Sequence, residues 1–335
     1  MLTDTAHSAG SRPDVSVIIP TLEAGGALRR LIEALREQTL APREIIVIDS
    51  ASTDGTADLA RACGVRVIGI DREDFDHGGT RNLAASHAVG EVLVFMTQDA
   101  LPAHPEMLER LVGALLADDR VACAYARQVP RDDAGVLERL TRGYLYPEQP
   151  AVKWKSDLER LGIRTFFCSN VCAAYRRDVF EQLGRFPAPA LFNEDLFFAA
   201  KCIFAGYGVA YAADARVVHS HHYTLGQQFR RYFDNGVSMR GNDQVYAWSG
   251  AGRSGSGMVL AVMRELVRTR RMRYIPRLLA DSAARLAGYE LGRRHRLLPP
   301  ALCRRFSMQR GIWERYYQAR TRTDAGEAGR KTLRG

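Results

Sequence analysis

The sequence predicts an α/β fold: a mostly parallel sheet with helices on both faces, followed by a helical C-terminal extension. Three observations carry this. Short apolar runs such as Val15-Ser-Val-Ile-Ile-Pro20, Glu44-Ile-Ile-Val-Ile-Asp49 and Val92-Leu-Val-Phe95 read as strands buried on both faces. Segments with apolar residues at helical spacing alternate with them, the rhythm of right-handed βαβ units. Polar turns rich in acceptors sit at the strands' carboxyl ends, where open α/β sheets bind ligands. With 335 residues, 46% of them hydrophobic and 25% charged, the chain can bury a large core.

Residues 1–14 are polar and read as a flexible N-terminus without the apolar core of a signal peptide. A strand at 15–20 precedes a helix over 27–38, whose Leu28, Leu31, Ile32 and Leu35 form one face. Strand 44–49, helix 56–63, strand 65–70 and helix 79–88 lead to the strand that begins at Val92 and is closed by Pro102. Helix 105–116 and strand 121–126 complete the first half. From Pro130 to Arg164 periodicity is lost, and loops of that length are usually functional or mobile. Its aromatics, Trp154 among them, could stack on a ligand or fill the core. Phe166 to Tyr175 reads as an apolar strand carrying Ser169 and Asn170, and Asn193, Glu194 and Asp195 open a helix with Leu196, Phe197, Ala200 and Ile203 on its apolar face. Short strands follow at 209–211 and 215–218. Beyond Leu225 the pattern turns helical, with a Gly-rich linker over 250–257, striped helices over 258–267 and 274–291, and a disordered end over 321–335. The expected organisation is a catalytic domain at 15–225 and a basic helical region at 226–320.

Charge divides the chain in the same way. From Ala251 onward there are 20 Lys and Arg against 6 Asp and Glu, whereas the whole chain carries a formal net charge of +9, so the preceding part is mildly acidic. Such asymmetry points to an anionic partner for the tail, a nucleic acid or a membrane surface. No nucleic-acid recognition motif is present, and no run approaches the roughly 18 apolar residues of a membrane span. An apolar stripe beside arginines fits an interfacial helix, or equally a helix packed on the domain with a solvated basic face. The six cysteines include no CxxC pair, which fits reduced thiols in the cytosol.

Chemistry concentrates at the strand ends. Asp99 follows the Val92 strand, placed to hold a cation or simply to cap a turn. Asp49, Ser50, Ser52 and Asp54 offer acceptors and hydroxyls that suit a pyrimidine imide or a ribose, so a nucleotide is the natural guest, although Ser and Asp caps alone would look similar. Neither GxGxxG after the first strand nor GxxxxGK[ST] occurs, which argues against a dinucleotide site and a P-loop. In Asp74-Phe-Asp-His-Gly-Gly-Thr-Arg-Asn82, the glycines permit close approach of a ligand, the helix start offers N–H groups, and Arg81 can neutralise a diphosphate. His77 there is a ligand or a turn residue.

Val17-Ile-Ile-Pro-Thr21, Ile48-Asp-Ser-Ala-Ser-Thr-Asp-Gly-Thr56 and Thr80-Arg-Asn82, in this order, resemble the donor-site motifs of the family 2 glycosyltransferases over residues 15–225. The resemblance implies a GT-A-type, Rossmann-like fold and an inverting sugar transfer from a nucleotide-sugar donor. It implies that Asp49 contacts the base, that Thr21 and Glu23 line the nucleotide site with Ser50, Arg81 and Gln98, and that Asp195 is the catalytic base supported by Glu194. Where the family usually carries Asp-x-Asp, this chain has Thr97-Gln98-Asp99, leaving Asp99 as a single carboxylate for Mg²⁺ or Mn²⁺. The segment His219-Ser-His-His-Tyr223 resembles the family's metal-adjacent histidines, so His219, and after it His221, is expected to complete the metal shell. Phe75 to Asn82 together with Thr-Gln-Asp resembles the rhamnosyltransferase branch, which implies dTDP-L-rhamnose as donor and a saccharide acceptor, expected to be lipid-linked. A cytoplasmic enzyme, peripheral at the inner face of the membrane through its basic helices, follows as the expectation.

Overall fold

The computed structural model describes residues 12–248 and 253–317. Most of the expected flexible N-terminus, part of the Gly-rich linker and the expected disordered end lie outside them. Just inside, Arg12 donates to the carbonyl of Thr39 and Asp14 pairs with Arg43, so residues 12–14 are tied to the domain.

The elements run β1 (Val15–Thr21), α1 (Gly26–Arg36), β2 (Glu44–Asp49), α2 (Thr56–Ala62), β3 (Arg66–Gly69), α3 (His77–Ser86), β4 (Val92–Met96), β5 (Leu101–Pro102), α4 (Met107–Leu116), β6 (Val121–Val129), α5 (Val136–Leu145), β7 (Ala151–Lys153), α6 (Leu158–Leu161), β8 (Cys172–Arg176), α7 (Arg177–Gln182), α8 (Glu194–Phe204), β9 (Gly208–Val218), α9 (Leu225–Arg240), α10 (Asp243–Tyr246), α11 (Arg253–Arg268), α12 (Ile275–Arg293) and α13 (Pro300–Phe306). The described strands form one sheet in the order β3-β2-β1-β4-β8-β6-β9-β5, with β7 paired to β9. β3, β2, β1 and β4 are parallel, β8 runs antiparallel between β4 and β6, and β6 is again parallel to β9.

Alternation along each strand fills both faces. Ile18, Ile46, Ile48, Leu93 and Phe95 point into one core with Tyr175, Phe180 and Phe198, while Val17, Ile19, Val47 and Val94 point into the other with Leu28, Leu31, Ile32 and Leu111. A sheet covered on both sides explains the uninterrupted apolar runs in the sequence. The six cysteines are free thiols, five of them buried, and behave as small apolar core residues.

Three segments differ from the sequence expectation. The stretch from Pro130 to Arg164 is built, not open: it holds α5, β7 and α6, and the Val136, Leu137 and Leu140 side of α5 packs on Val262 and Leu266 of α11. Its apolar partner lies more than a hundred residues away, so the stripe looked incomplete in sequence. The expected strand over 166–175 is shorter, because Gly162–Phe166 forms a 3₁₀ turn and the strand begins only at Cys172. The two strands expected around Tyr211 and Val217 are one continuous β9, whose register against β6 shifts between Ala126 and Arg127.

The C-terminal helices pack on the domain. α12 lies against α9 with glycines at the crossing: a Cβ on Gly236 would fall 2.2 Å from the Tyr289 carbonyl oxygen, one on Gly288 2.2 Å from that of Phe229, and one on Gly292 2.1 Å from that of Phe233. Only glycine lets the two backbones approach this closely. Trp313, fully buried with Phe233, Val237, Cys303 and Ile312, anchors the chain after α13 back onto α9. No described helix is long and apolar enough to cross a membrane.

Candidate active site

The carboxyl ends of β1, β2, β4, β6 and β9 and the start of α8 supply the site. At the end of β2, Asp49 is 4% exposed and accepts from Thr21 Oγ1 at 2.9 Å, Ser52 N at 2.9 Å and Ser52 Oγ at 2.6 Å. These bonds fix the carboxylate at the wall of an open cleft of about 450 Å³, lined also by Ala51, Arg61, Gly69, Ile70 and Asp71. The Oγ of neighbouring Ser50 is buried without a partner. Glu23, at φ 50°, braces the same loop: it accepts from Thr53 N at 3.1 Å and pairs with Arg72 at 2.9 Å. Gln98 stitches the Thr97-Gln98-Asp99 turn to the end of β1, its amide bonding the Leu22 N–H at 2.8 Å and the Leu22 carbonyl at 3.0 Å. Among the donor-site candidates, Thr21, Glu23 and Gln98 therefore spend their side chains on shaping the cleft.

Asp99 lies with two imidazoles. His219 Nε2 and His221 Nε2 each stand 3.4 Å from Asp99 Oδ2, and the three ligand atoms fall within 4.8 Å of one another. Burial works against the charge of Asp99, but the His219 contact above all holds its carboxyl below the ordinary range. Burial, then the neighbouring His219, pushes His221 down to about 4, which keeps that ring neutral as a metal ligand requires. The other nitrogen of His219, Nδ1, is 3.0 Å from Gln128 Oε1. Arg142 also donates to Oε1, while Gln128 Nε2 donates to Tyr146 Oη at 2.6 Å and Ser169 Oγ at 2.9 Å. The amide orientation is thereby assigned, so Nδ1 donates to Gln128 Oε1 and Nε2 is the ring nitrogen that faces Asp99. One carboxylate oxygen and two imidazole nitrogens this close together are a donor set that fits a divalent cation.

The same network reaches the start of α8. Ser169 precedes Asn170, whose backbone N–H donates to Asp195 Oδ2 at 2.9 Å, while Leu196 N donates to Oδ1 at 2.8 Å. Asp195 is half-buried, and burial followed by the adjacent Glu194 charge raises its pKa against the pull of these donors. Glu194 shows the opposite balance: burial opposes its ionisation, but Arg81 at 3.3 Å, then His77 and the Asn170 amide at 3.0 Å, keep it below its ordinary value.

Two expectations change at this point. Arg81 does not face an open anion site; it is 4% exposed and committed to Glu194 and to the His77 carbonyl at 2.9 Å. The N–H groups of Gly78 and Gly79 are likewise occupied, by Asp76 Oδ1 at 3.1 and 2.7 Å, an N-cap that also holds Ala190 N at 3.0 Å. Gly78 is needed for packing: a Cβ there would lie 1.9 Å from the Pro187 carbonyl oxygen. His77 is a half-buried ring between Phe75 and Phe192, its pKa lowered by desolvation.

Sequence reasoning passed over two residues. Gln128 follows Arg127 near the carboxyl end of β6, and this polar pair after an apolar run was its signal. Arg231 lies in the Gln227-Gln-Phe-Arg-Arg-Tyr-Phe233 helix; its guanidinium is 5.2 Å from the Phe192 ring centroid and 5.3 Å from that of Tyr223, with no ion pair among the described residues. Tyr223 in turn stacks on His221, which places this unneutralised cation beside the Asp99 cluster. Nothing in sequence marked Arg231 apart from Arg230.

Comparison with known proteins follows the same lines. The family described as Glycosyl transferase family 2 matches residues 16–184. The chain is 41% identical over 302 residues to the O-antigen chain rhamnosyltransferase RfbN of Salmonella typhimurium, covering 89% of this chain and 96% of that protein. It is 41% identical over 304 residues to the O-antigen chain rhamnosyltransferase WbaN of Salmonella anatum, with coverages of 90% and 96%. Among solved structures, the mannosyltransferase PcManGT of Pyrobaculum calidifontis, solved with GDP-Man and Mn²⁺, superposes with a TM-score of 0.54 at 23% identity over 92% of this chain and 87% of that one. With its GT-A-type architecture and this likeness along nearly the whole sequence, the chain belongs to glycosyl transferase family 2 and is a glycosyltransferase.

Proposed function

We propose that the enzyme transfers L-rhamnose from dTDP-L-rhamnose, with inversion, to a saccharide carried on a lipid at the inner membrane face during assembly of a cell-surface polysaccharide. The observation that carries the donor reading is the end-to-end likeness to two proteins named as O-antigen rhamnosyltransferases. In this reading residues 15–225 are the catalytic unit and 226–320 the extension that completes and places it.

The residues take the following parts. Asp49, held by Thr21 and Ser52, accepts the imide N–H of the base, and the free hydroxyl of Ser50 lies beside it. Asp195, fixed by two backbone N–H donors, removes the proton of the attacking acceptor hydroxyl. The acceptor oxygen then bonds to the anomeric carbon from the face opposite the diphosphate, the bond from that carbon to the diphosphate breaks, and dTDP leaves with its electron pair. A raised pKa makes Asp195 a stronger base than an ordinary carboxylate; burial raises it first, and the charge of Glu194, itself stabilised by Arg81, adds to the rise. Asp99, His219 and His221 would hold a divalent cation, which when bound would supply charge neutralisation to the departing diphosphate. Two imidazoles beside one carboxylate favour Mn²⁺ over Mg²⁺, which prefers an all-oxygen shell. Arg231 adds a fixed positive charge next to the same place.

The test compares the wild type with Asp195→Asn. The variant should bind dTDP-L-rhamnose in the presence of Mn²⁺ as the wild type does while transferring the sugar about 10²- to 10⁴-fold more slowly. Full transfer by the variant would overturn the assignment of the base. In a panel of nucleotide sugars dTDP-L-rhamnose should be hydrolysed fastest, and a faster rate with another donor would overturn the sugar.

A further inference from the structure

Packing leaves the outer side of α12 uncovered. Leu278, Gly288 and Gly292 are buried, the two glycines against α9, whereas Pro276, Leu279, Ala283, Leu286 and Ala287 are exposed and fall at spacings of three, four and seven on one stripe. The charged residues within these turns, Arg277, Asp281 and Arg285, lie at other angles, and Arg277 pairs with Asp281. Met272, 58% exposed, precedes the stripe, and Leu279 and Leu286 are 49% and 63% exposed. An outward line of this kind has no packing partner within the described chain.

Cations bracket it. Arg264, Arg270, Arg271 and Arg273 lie before the stripe and Arg296 after it, all exposed and without an ion pair among the described residues. Leu297, 81% exposed, sits beside Arg296. A second copy of the chain meeting this face about a two-fold axis would set arginine against arginine, a repulsive arrangement. A nucleic acid would use the cations but leave the apolar stripe in water. An anionic bilayer satisfies both, taking apolar side chains below the headgroups and arginines among the phosphates.

We propose that the outward stripe of α12, with the arginines at its two ends, docks the enzyme on an anionic lipid surface. The first turn of α12 adjoins the catalytic segment, since Arg277 Nη2 donates to the Tyr223 carbonyl at 3.5 Å, two residues beyond His221. Docking through this face therefore brings the lipid surface next to the site. The purpose assigned to docking rests on the lipid-linked acceptor proposed above; the docking itself does not depend on the donor.

Cosedimentation of the full chain with vesicles separates the possibilities. Binding is expected to phosphatidylglycerol-containing vesicles and to be about tenfold or more weaker to pure phosphatidylcholine and at high salt. The double variant Leu279→Ser with Leu286→Ser should lose about tenfold or more in vesicle binding. Arg270→Glu with Arg273→Glu should lose as much by a different route, and both should hydrolyse nucleotide sugar in solution at the wild-type rate. Unchanged vesicle binding in both double variants would overturn the proposal. So would loss, in the leucine variant, of a concentration-dependent dimer with vesicle binding intact, which would assign the stripe to a second copy. A change of preferred donor in the sugar panel would leave these outcomes untouched, so the two readings fail separately.

Discussion

Asp195 and Glu194 are neighbours in sequence with opposite electrostatic fates, and the difference is set by what each one touches. Arg81 stabilises Glu194 as an anion, and that anion adds to burial in raising Asp195. With Asp195 as the proposed base, its protonation switches transfer off, so the acidic limb of the kcat/KM profile should lie above the carboxylate range of about 4. Glu194→Gln removes the charge that raises Asp195 and leaves Arg81 to lower it, so the limb should move down by on the order of one pH unit; a limb that stays in place in a pH–rate series would show that burial alone sets it. Gln128 acts one step from the proposed metal ligands, through His219. Gln128→Leu deprives His219 Nδ1 of its acceptor and should weaken Mn²⁺ binding about 10- to 100-fold in a titration followed by the Mn²⁺ resonance signal, with nucleotide binding in the absence of metal unchanged. The histidines and Asp99 were legible as residue types after strands. Gln128 and Arg231 were not, because their roles come from contacts with His219, Phe192 and Tyr223 that only the fold creates.

At the scale of elements, apolar period decided what could be read. β1, β2 and β4 announce themselves as continuous runs because both faces of the sheet are covered, and α1 shows its stripe because its partners are the adjacent strands. α5 hid in an apparent loop because its apolar side is completed by α11. The pairing of α9 with α12 was hidden for a further reason: its interface is made of glycines, which carry no hydrophobic signal. Gly292→Ala places a methyl 2.1 Å from the Phe233 carbonyl oxygen and must push the helices apart, at a cost of about 1–3 kcal/mol read as a lower melting temperature. Gly113→Ala, in α4 with nothing within 4 Å of its Cβ, is the matched control and should raise stability by roughly 0.5–1 kcal/mol. Equal losses in the two variants would mean that close approach of α9 and α12 does not set the packing.

Across the whole molecule, the division read from charge holds as composition but not as independence. The basic C-terminal third was legible as a separate class of sequence, and its helices do present arginines outward. Yet the chain after α13 returns to the loop that precedes α3: Gln309 Nε2 stands 3.4 Å from His77 Nε2, and Arg315 donates to the Phe75 carbonyl at 2.7 Å. Met308 N meets Asp234 on α9 at 2.8 Å on the way. No local pattern could have reported contacts spanning more than 230 residues, because Gln309 and Arg315 are ordinary polar residues until the fold brings them to Phe75 and His77. That return path has a consequence for how the protein is made. The sheet can assemble as its strands leave the ribosome, but the loop beside the Arg81–Glu194 pair lacks two of its supports until residue 315 has emerged. Synthesis of the segment after α13 is thus the step that completes the surroundings of the Arg81–Glu194 pair, and a message cut short after α13 would yield a nascent chain with its strands in place and the loop before α3 unsupported.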